Sequence, residues 1–225
     1  MKRLSIGCER AVLGVALSVV MVAGSVLAQA GRGTVAAGGA GAAGAAEEKV
    51  RIVRFPQPNK ASMIRTPEYN VNVSGLQSKT TKRPREWALF EIRYSTGQKW
   101  TDELAFNYHV MTKGKDDDGK DAYSYYTQTV RYIDIPKGDH MSCVALHPSL
   151  VERYGEPVSL ALEIVGKDGA VLTFQSETTI NYGVKEWWKE SKVLDQPTVK
   201  RRAGLQDRSK TPFALINADD YEVVQ

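Results

Sequence analysis

Three histidines and an acidic run are the side chains in this sequence whose chemistry could go beyond packing. No two of His109, His140 and His147 have the helical i, i+4 spacing, and no H-x-E motif with paired cysteines is present. Zinc sites and metal-dependent hydrolases require such spacings, because their ligands must converge on one ion. The sequence therefore predicts no metal site and no metal-dependent catalysis.

The acidic run Asp116-Asp117-Asp118 is followed by Gly119 and invites a comparison with calcium-binding loops. An EF-hand loop carries oxygen ligands at alternate positions, a glycine at position 6 and a glutamate at position 12. Counting from Asp116 places Asp121 and Thr127 at those two positions. The run is instead predicted to be the solvated tip of a hairpin, with an Asp-Gly turn between lysines.

Motifs for nucleophilic catalysis and phosphate binding are also missing from the sequence. There is no G-x-S-x-G elbow, and the glycines of residues 31–44 do not follow a strand or open a helix. We therefore predict a non-enzymatic protein without a cofactor.

Cys143 is the one cysteine expected in the mature chain, because Cys8 falls in the N-terminal targeting segment. A lone cysteine cannot form an internal disulfide. It lies in an alternating apolar run at residues 141–146, which predicts a buried structural thiol. The alternative is a reactive thiol, which would need a neighbouring base.

Aromatic residues form the candidate contact surface. Tyr123 and Tyr125 share one face of an expected strand, and Trp187 and Trp188 are adjacent. Aromatic side chains are enriched in contact surfaces and also stack on sugars, although they equally well fill a core and cover strand edges. Two adjacent tryptophans cannot point to the same face of a strand, so at least one is expected to meet something other than the core.

The N-terminal segment has the layout of a secretory signal peptide over residues 1–30. Lys2 and Arg3 precede an apolar run at residues 11–27, and Ala28-Gln29-Ala30 supplies the small residues of a cleavage site. The alternative is a retained membrane anchor, because residues 11–31 carry no charge and are just long enough to span a bilayer. Export to the periplasm, the outer membrane or the cell surface is expected.

The composition and net charge limit the class of protein that the remaining chain can form. Hydrophobic residues make up 42% and charged residues 25% of the 225 residues, which is typical of a globular domain. The net charge is +4, and removal of residues 1–30 leaves +2, too little to predict a nucleic-acid partner. Residues 31–48 are rich in glycine and alanine and predict a flexible linker.

Residues 49–183 show the two-residue period of β-strands. Apolar alternation and turn residues predict seven or eight strands, at 50–55, 69–73, 87–94, 100–111, 122–135, 141–146, 158–165 and 171–182. One or two helical turns are expected over residues 148–155, with Gly155 as the stop. This pattern predicts an all-β fold, an immunoglobulin-like β-sandwich, followed by a C-terminal tail over residues 184–225 that packs on the domain or on a neighbour.

Three stretches carry a resemblance to a known family: Trp87-Ala-Leu-Phe-Glu-Ile-Arg-Tyr94 leading into Trp100, Leu104-Ala-Phe-Asn-Tyr108, and Thr211-Pro-Phe-Ala-Leu215 with Asp220-Tyr-Glu222. With the signal and linker, the chain resembles the pilus-like, immunoglobulin-like secreted proteins of verrucomicrobial bacteria. The resemblance implies a β-sandwich without enzymatic activity in a surface or periplasmic assembly, as a filament subunit or an accessory. It transfers no site residues.

Two functions follow as hypotheses. The first is a structural or interaction protein of a pilus-like cell-envelope assembly, which binds itself or protein partners through strand edges and the tail. The alternative is a secreted or periplasmic glycan-binding module that uses Tyr123, Tyr125, Trp187 or Trp188. A membrane partner is expected only if the N-terminal segment is retained.

Overall fold

The computed structural model describes residues 50–66, 84–217 and 221–224. All of them belong to one unit that comprises residues 43–225. The signal peptide and linker expected over residues 1–48, and the strand expected over residues 69–73, lie outside the described residues. No helix within the described ranges has the length and apolar character needed to cross a membrane.

The described chain is mostly β-structure, which confirms the predicted all-β class. The strands are β1 (Val50–Arg54), β2 (Ser62–Arg65), β3 (Glu86–Lys115), β4 (Asp121–Leu146), β5 (Glu156–Gly166), β6 (Val171–Thr178), β7 (Val199–Arg202), β8 (Leu205–Asp207) and β9 (Val223–Val224). The short helices are α1 (Pro148–Tyr154) and α2 (Ser191–Leu194), and single 3-10 turns lie at Pro58–Lys60, Trp187–Lys189 and Arg208–Lys210.

The nine strands form one sheet around a long hairpin of β3 and β4. The order is β6-β5-β3-β4-β7, while β1 and β2 pair with the first part of β3, and β8 and β9 pair with β4. The pairs β3–β4, β3–β5 and β5–β6 are antiparallel, and β7 runs parallel to β4. The strands predicted at 87–94 and 100–111 are thus both parts of β3, and those at 122–135 and 141–146 are both parts of β4.

The hairpin bends between the strands predicted at 87–94 and 100–111, and between those predicted at 122–135 and 141–146. Thr96 pairs with Gly138 and Trp100 with Pro136, and the register is irregular between these two pairs. A bulge of this kind bends a strand and increases its twist without ending it. The bend brings the two parts of β3 face to face, so that the ring centroids of Tyr94 and Phe106 lie 4.8 Å apart. One continuous sheet therefore supplies both layers of the sandwich.

The main core lies between these layers and combines aliphatic side chains with buried tyrosines. Phe90 and Ile92 from the first part of β3 share it with Phe106 from the second part. The Tyr108 and Tyr132 hydroxyls lie 2.6 Å and 3.0 Å from the Ser142 hydroxyl oxygen, so these three buried hydroxyls are hydrogen-bonded to one another.

Local signals correctly predict the helix and two turns. Pro148 opens α1, and Nδ1 of His147 accepts the backbone N–H of Ser149 in front of it. Gly155 ends α1 in the left-handed region with φ 86°, and a Cβ there would lie 1.9 Å from the Lys113 carbonyl oxygen. Polar turns also connect β3 to β4 and β5 to β6, as the Asp-Gly pairs at 118–119 and 168–169 indicate.

Candidate functional site

Three of the four aromatic residues of the predicted contact surface are buried. Tyr125, Trp187 and Trp188 are only 5%, 0% and 4% exposed, and Tyr123 is half-buried. The two tryptophans occupy a 3-10 turn, in which consecutive side chains differ by a third of a turn, so both reach the protein interior. This burial agrees with the interpretation that these residues fill a core.

The tryptophans attach the tail to the outer face of the sheet in the same chain. The Trp187 ring stacks on Tyr182 with centroids 5.5 Å apart and meets Tyr125 edge-on at 6.1 Å. The Trp188 ring contacts Phe174 of β6 at 5.9 Å. Together with Met111 and Ala161 they form a second apolar cluster, separate from the main core.

His109 lies inside this second cluster. Its Nδ1 is 2.6 Å from the Tyr125 hydroxyl, and its ring lies nearly parallel to those of Tyr125 and Trp188, with centroids 6.0 Å from each. Its Nε2 is buried without a hydrogen-bond partner among the described residues. Burial lowers the pKa of His109 to about 4, and the Lys189 ammonium adds to this while Glu163 opposes it. His109 is therefore neutral at neutral pH.

An ion pair closes the cluster at its rim. The Lys189 ammonium lies 2.6 Å from Oε1 of Glu163 on β5 and 2.7 Å from Oε2 of Glu186. Burial acts to raise the pKa of Glu163, but the contact with Lys189 outweighs it and keeps the pKa below its usual range. The 3-10 turn is thus joined to β5 by charge as well as by aromatic packing.

A cleft of about 380 Å³ opens beside the cluster, and we call it the tyrosine cleft. Its aromatic lining is Tyr123 and Tyr182, and its polar lining is Asn181, Gln196 and Lys192. Met111, Val193, Val199 and Ile180 complete the walls. Aromatic faces beside a few amides are suited to a small polar ligand. Tyr123 is the predicted contact residue that faces this space, whereas Tyr182 was not singled out from the sequence.

A second cleft, of about 210 Å³, lies where α1, β7 and the β3–β4 turn meet. It is lined by Gly114, Lys115, Asp116, Asp117, Ala122, Tyr123, Ser124, Arg153, Tyr154, Lys200 and Arg202, and we call it the basic cleft. Arg202 and Tyr154 are 48 residues apart, so no local sequence pattern links them.

Strand β6 is a second surface feature with binding potential. In the described residues it pairs with β5 alone, so its other edge has no strand partner. Its eight residues carry one charge, Glu177, and the side chains of Val171 and Phe174 are 48% and 46% exposed. Unpaired backbone groups on such an edge can add another strand.

The three histidines lie apart and have structural contacts. Besides His109 in the second cluster, His147 caps α1, and Nδ1 of His140 lies 2.7 Å from the Glu222 carboxylate near the C-terminus. Within the described ranges, no group of three or more His, Cys, Asp or Glu side chains is arranged to hold a metal ion.

Cys143 is buried in a third apolar cluster with Trp87 and Phe213, which confirms the predicted structural thiol. Burial raises its pKa to about 12, so thiolate is scarce at neutral pH. We expect a thiol reagent at about pH 8 to leave Cys143 unmodified in the native protein and to modify it fully in denaturant. Rapid modification of the native protein would contradict this. The number of thiols modified in denaturant also shows whether residues 1–30 have been cleaved, because a chain that retains them has Cys8 as a second thiol.

Comparison with known proteins gives one family and one fold. A family model matches residues 44–225 of the chain. Among solved structures, a crystal structure of a protein from Akkermansia muciniphila matches with a TM-score of 0.62 and 20% sequence identity, over 79% of this chain and 93% of the other. No curated protein matches the chain. The structural match therefore supports the fold, and the family model covers the whole described region.

Proposed function

Because the chain belongs to the protein family whose model covers residues 44–225, and shares its fold with the Akkermansia structure, we propose that it is a non-enzymatic structural or interaction protein. We propose further that it acts in a pilus-like assembly of the cell envelope or cell surface. The layout of residues 1–30 as a signal peptide supports export to that location.

The edge of β6 that pairs with no other strand in the described residues is the observation that carries this proposal. On the opposite side of the sheet, three strands of the tail, β7, β8 and β9, pair with β4, and Tyr221 forms a further bridge to Met141. Among the other edge strands, β1 has two arginines in five residues and β7 has three basic residues in four, whereas β9 is uncharged but only two residues long. Charged edges discourage strand addition, whereas β6 is longer and almost uncharged.

Strand addition through β6 would join copies of the protein or attach a partner. Main-chain hydrogen bonds supply affinity in this mode, and side chains on alternate faces supply specificity. Val171 and Phe174 offer exposed apolar surface along the strand for such contacts.

A lysine in β6 is the direct test. We expect the protein purified after export to form a defined oligomer in light scattering behind a sizing column, and Val171→Lys to shift it towards the monomer. Val184→Lys is the matched control, because Val184 is 42% exposed but lies outside the strands. A strict monomer at high concentration, or equal dissociation by both variants, would contradict assembly through β6.

Glycan binding remains the second candidate, and the tyrosine cleft is the observation that favours it. Tyr123 and Tyr182 offer ring faces, and the amides of Asn181 and Gln196 offer hydrogen bonds of the kind that sugar hydroxyls accept and donate. Saturable binding of an oligosaccharide that is lost in Tyr123→Ala would support this function. The same variant should leave an assembly formed through β6 intact.

A further inference from the structure

The basic cleft contains an arginine with an unusual set of contacts. Nε of Arg202 donates to the Ser124 hydroxyl oxygen at 2.9 Å, and its guanidinium carbon lies 3.7 Å from the centroid of the Tyr154 ring. No carboxylate lies within ion-pairing distance of Arg202 in the described part of the chain. A stacked guanidinium keeps its in-plane N–H groups available, so the two terminal amino groups of Arg202 are free to bind an acceptor.

Two further cations lie at the same cleft without a carboxylate partner among the described residues. The Arg153 guanidinium lies 5.2 Å from the centroid of the same Tyr154 ring, and Lys200 is exposed on β7. Lys200 pairs with Ser124, and Arg202 with Tyr126. Because side chains alternate along a strand, Lys200 and Arg202 are on one face of β7, and Arg201 is on the opposite face.

The neighbouring charges are mostly engaged. Lys113 and Lys115 both contact Asp121, at 2.7 Å and 2.5 Å. Asp116 accepts the backbone N–H groups of Asp118 and Lys120 and so belongs to the turn. Asp117 is the remaining acidic side chain of the lining. The lining as a whole carries four cationic side chains and two carboxylates, so positive charge is in excess in the cleft.

From this geometry we propose that the basic cleft binds one phosphate or sulfate group. A guanidinium matches the oxygens of such a group in a two-pronged arrangement, and Lys200 and Arg153 add charge beside it. The Ser124–Arg202 bond and the Tyr154 ring hold the guanidinium in place before the anion arrives, which reduces the entropy lost on binding. A cleft of about 210 Å³ holds one oxyanion and a few attached atoms.

Titration of the exported protein with inorganic phosphate and with sulfate tests the proposal. At constant ionic strength, we expect saturable heats of binding in calorimetry, or saturable chemical-shift changes in NMR spectra. Sodium chloride should produce neither. Arg202→Gln is expected to weaken binding by about tenfold or more, because it removes charged hydrogen bonds. Lys200→Gln, an exposed side chain whose loss leaves the fold intact, is expected to weaken it by about twofold to fivefold.

Arg201→Gln is the matched control. It removes the same charge one residue away, but Arg201 lies on the other face of β7, 3.2 Å from Asp195. Binding within about twofold of the original is expected for this variant, since the Arg201 charge points away from the cleft, is paired with Asp195 and is screened by salt. Equal losses in the Arg201 and Arg202 variants, or no saturable effect beyond that of chloride, would overturn the proposal.

Two esters identify the source of the anion. Glucose 6-phosphate and glucose 6-sulfate present the same group on a larger molecule. Binding at least as tight as that of the inorganic ion assigns the cleft to the terminal group of a larger ligand. Weaker binding of both esters assigns it to the free ion, and both results retain the oxyanion site.

Discussion

Replacing Trp187 with alanine is expected to lower the free energy of unfolding by about 3–5 kcal/mol. The side chain is completely buried, and its ring contacts Tyr182, Tyr125 and Trp188. Its removal leaves a cavity that a close-packed cluster cannot fill without moving the backbone. Chemical denaturation followed by circular dichroism measures the loss.

Trp100→Ala is the matched control for this substitution. Trp100 is 58% exposed at the bend of β3, so the same loss of an indole ring removes little buried surface. A change of less than about 1 kcal/mol is expected. Similar effects of the two variants would contradict the assignment of Trp187 to a packed cluster. Limited proteolysis adds a local measurement, because a released tail should be cut within residues 184–198 before the sheet is.

Acidification is expected to destabilise the native state by about 3 kcal/mol between pH 7 and pH 4 through His109 alone. The ordinary pKa of histidine is 6.5, and burial lowers that of His109 to about 4 in the folded chain. The unfolded chain therefore binds the proton first as the pH falls. The free energy of unfolding should be constant above about pH 6.5, and should decline until the folded pKa is reached.

The contacts of His109 explain why its protonation is unfavourable. When Nε2 carries the single proton of the neutral ring, Nδ1 accepts from the Tyr125 hydroxyl, and a second proton on Nδ1 removes this acceptor. Nε2 has no acceptor among the described residues, and the Lys189 ammonium opposes a second positive charge. Glu163 favours protonation, but it is already paired with Lys189.

His109→Asn tests the origin of this pH dependence. The asparagine carbonyl oxygen occupies nearly the position of Nδ1 and still accepts from Tyr125, but it does not titrate. We expect the decline between about pH 6.5 and pH 4 to shrink by most of its size in this variant. Carboxylates with lowered pKa values, such as Asp121 and Asp207, affect the free energy of unfolding at lower pH. An unchanged decline in the variant would contradict the role of His109.

The sequence predicts local features well because their causes are local. Pro148 and Gly155 bound a helix by their own backbone preferences, and the Asp-Gly pairs specify tight turns without reference to the remaining chain. The all-β class follows equally from the alternation of apolar residues, which fixes which side chains face a core.

The long hairpin was not predicted, because turn residues that face each other across two strands bend the strands instead of ending them. Residues 95–97 and 136–138 each read as a turn in isolation. In the sheet they pair across β3 and β4, so they bend the hairpin together, and both strands continue. The bend depends on the pairing register of β3 with β4, which aligns residues about forty positions apart in sequence. Local sequence patterns do not contain this information.

Both tryptophans are buried, although at least one was expected to meet something other than the core. That argument assumed a strand, in which Trp187 and Trp188 point to opposite faces. The segment forms a 3-10 turn instead, and the two rings lie nearly perpendicular, at 82°, inside one cluster. The basic cleft was missed because Ser124, Tyr154 and Arg202 meet only in the folded chain.

The late position of β7, β8 and β9 in the chain has a consequence for biosynthesis. A polypeptide emerges from the ribosome with its N-terminus first, so β4 is complete while the segments that pair with its outer edge are still to be made. During this interval the backbone groups of residues 123–126 and 144–146 lack those partners. This edge is therefore open to pairing with other extended chains until the last strands arrive.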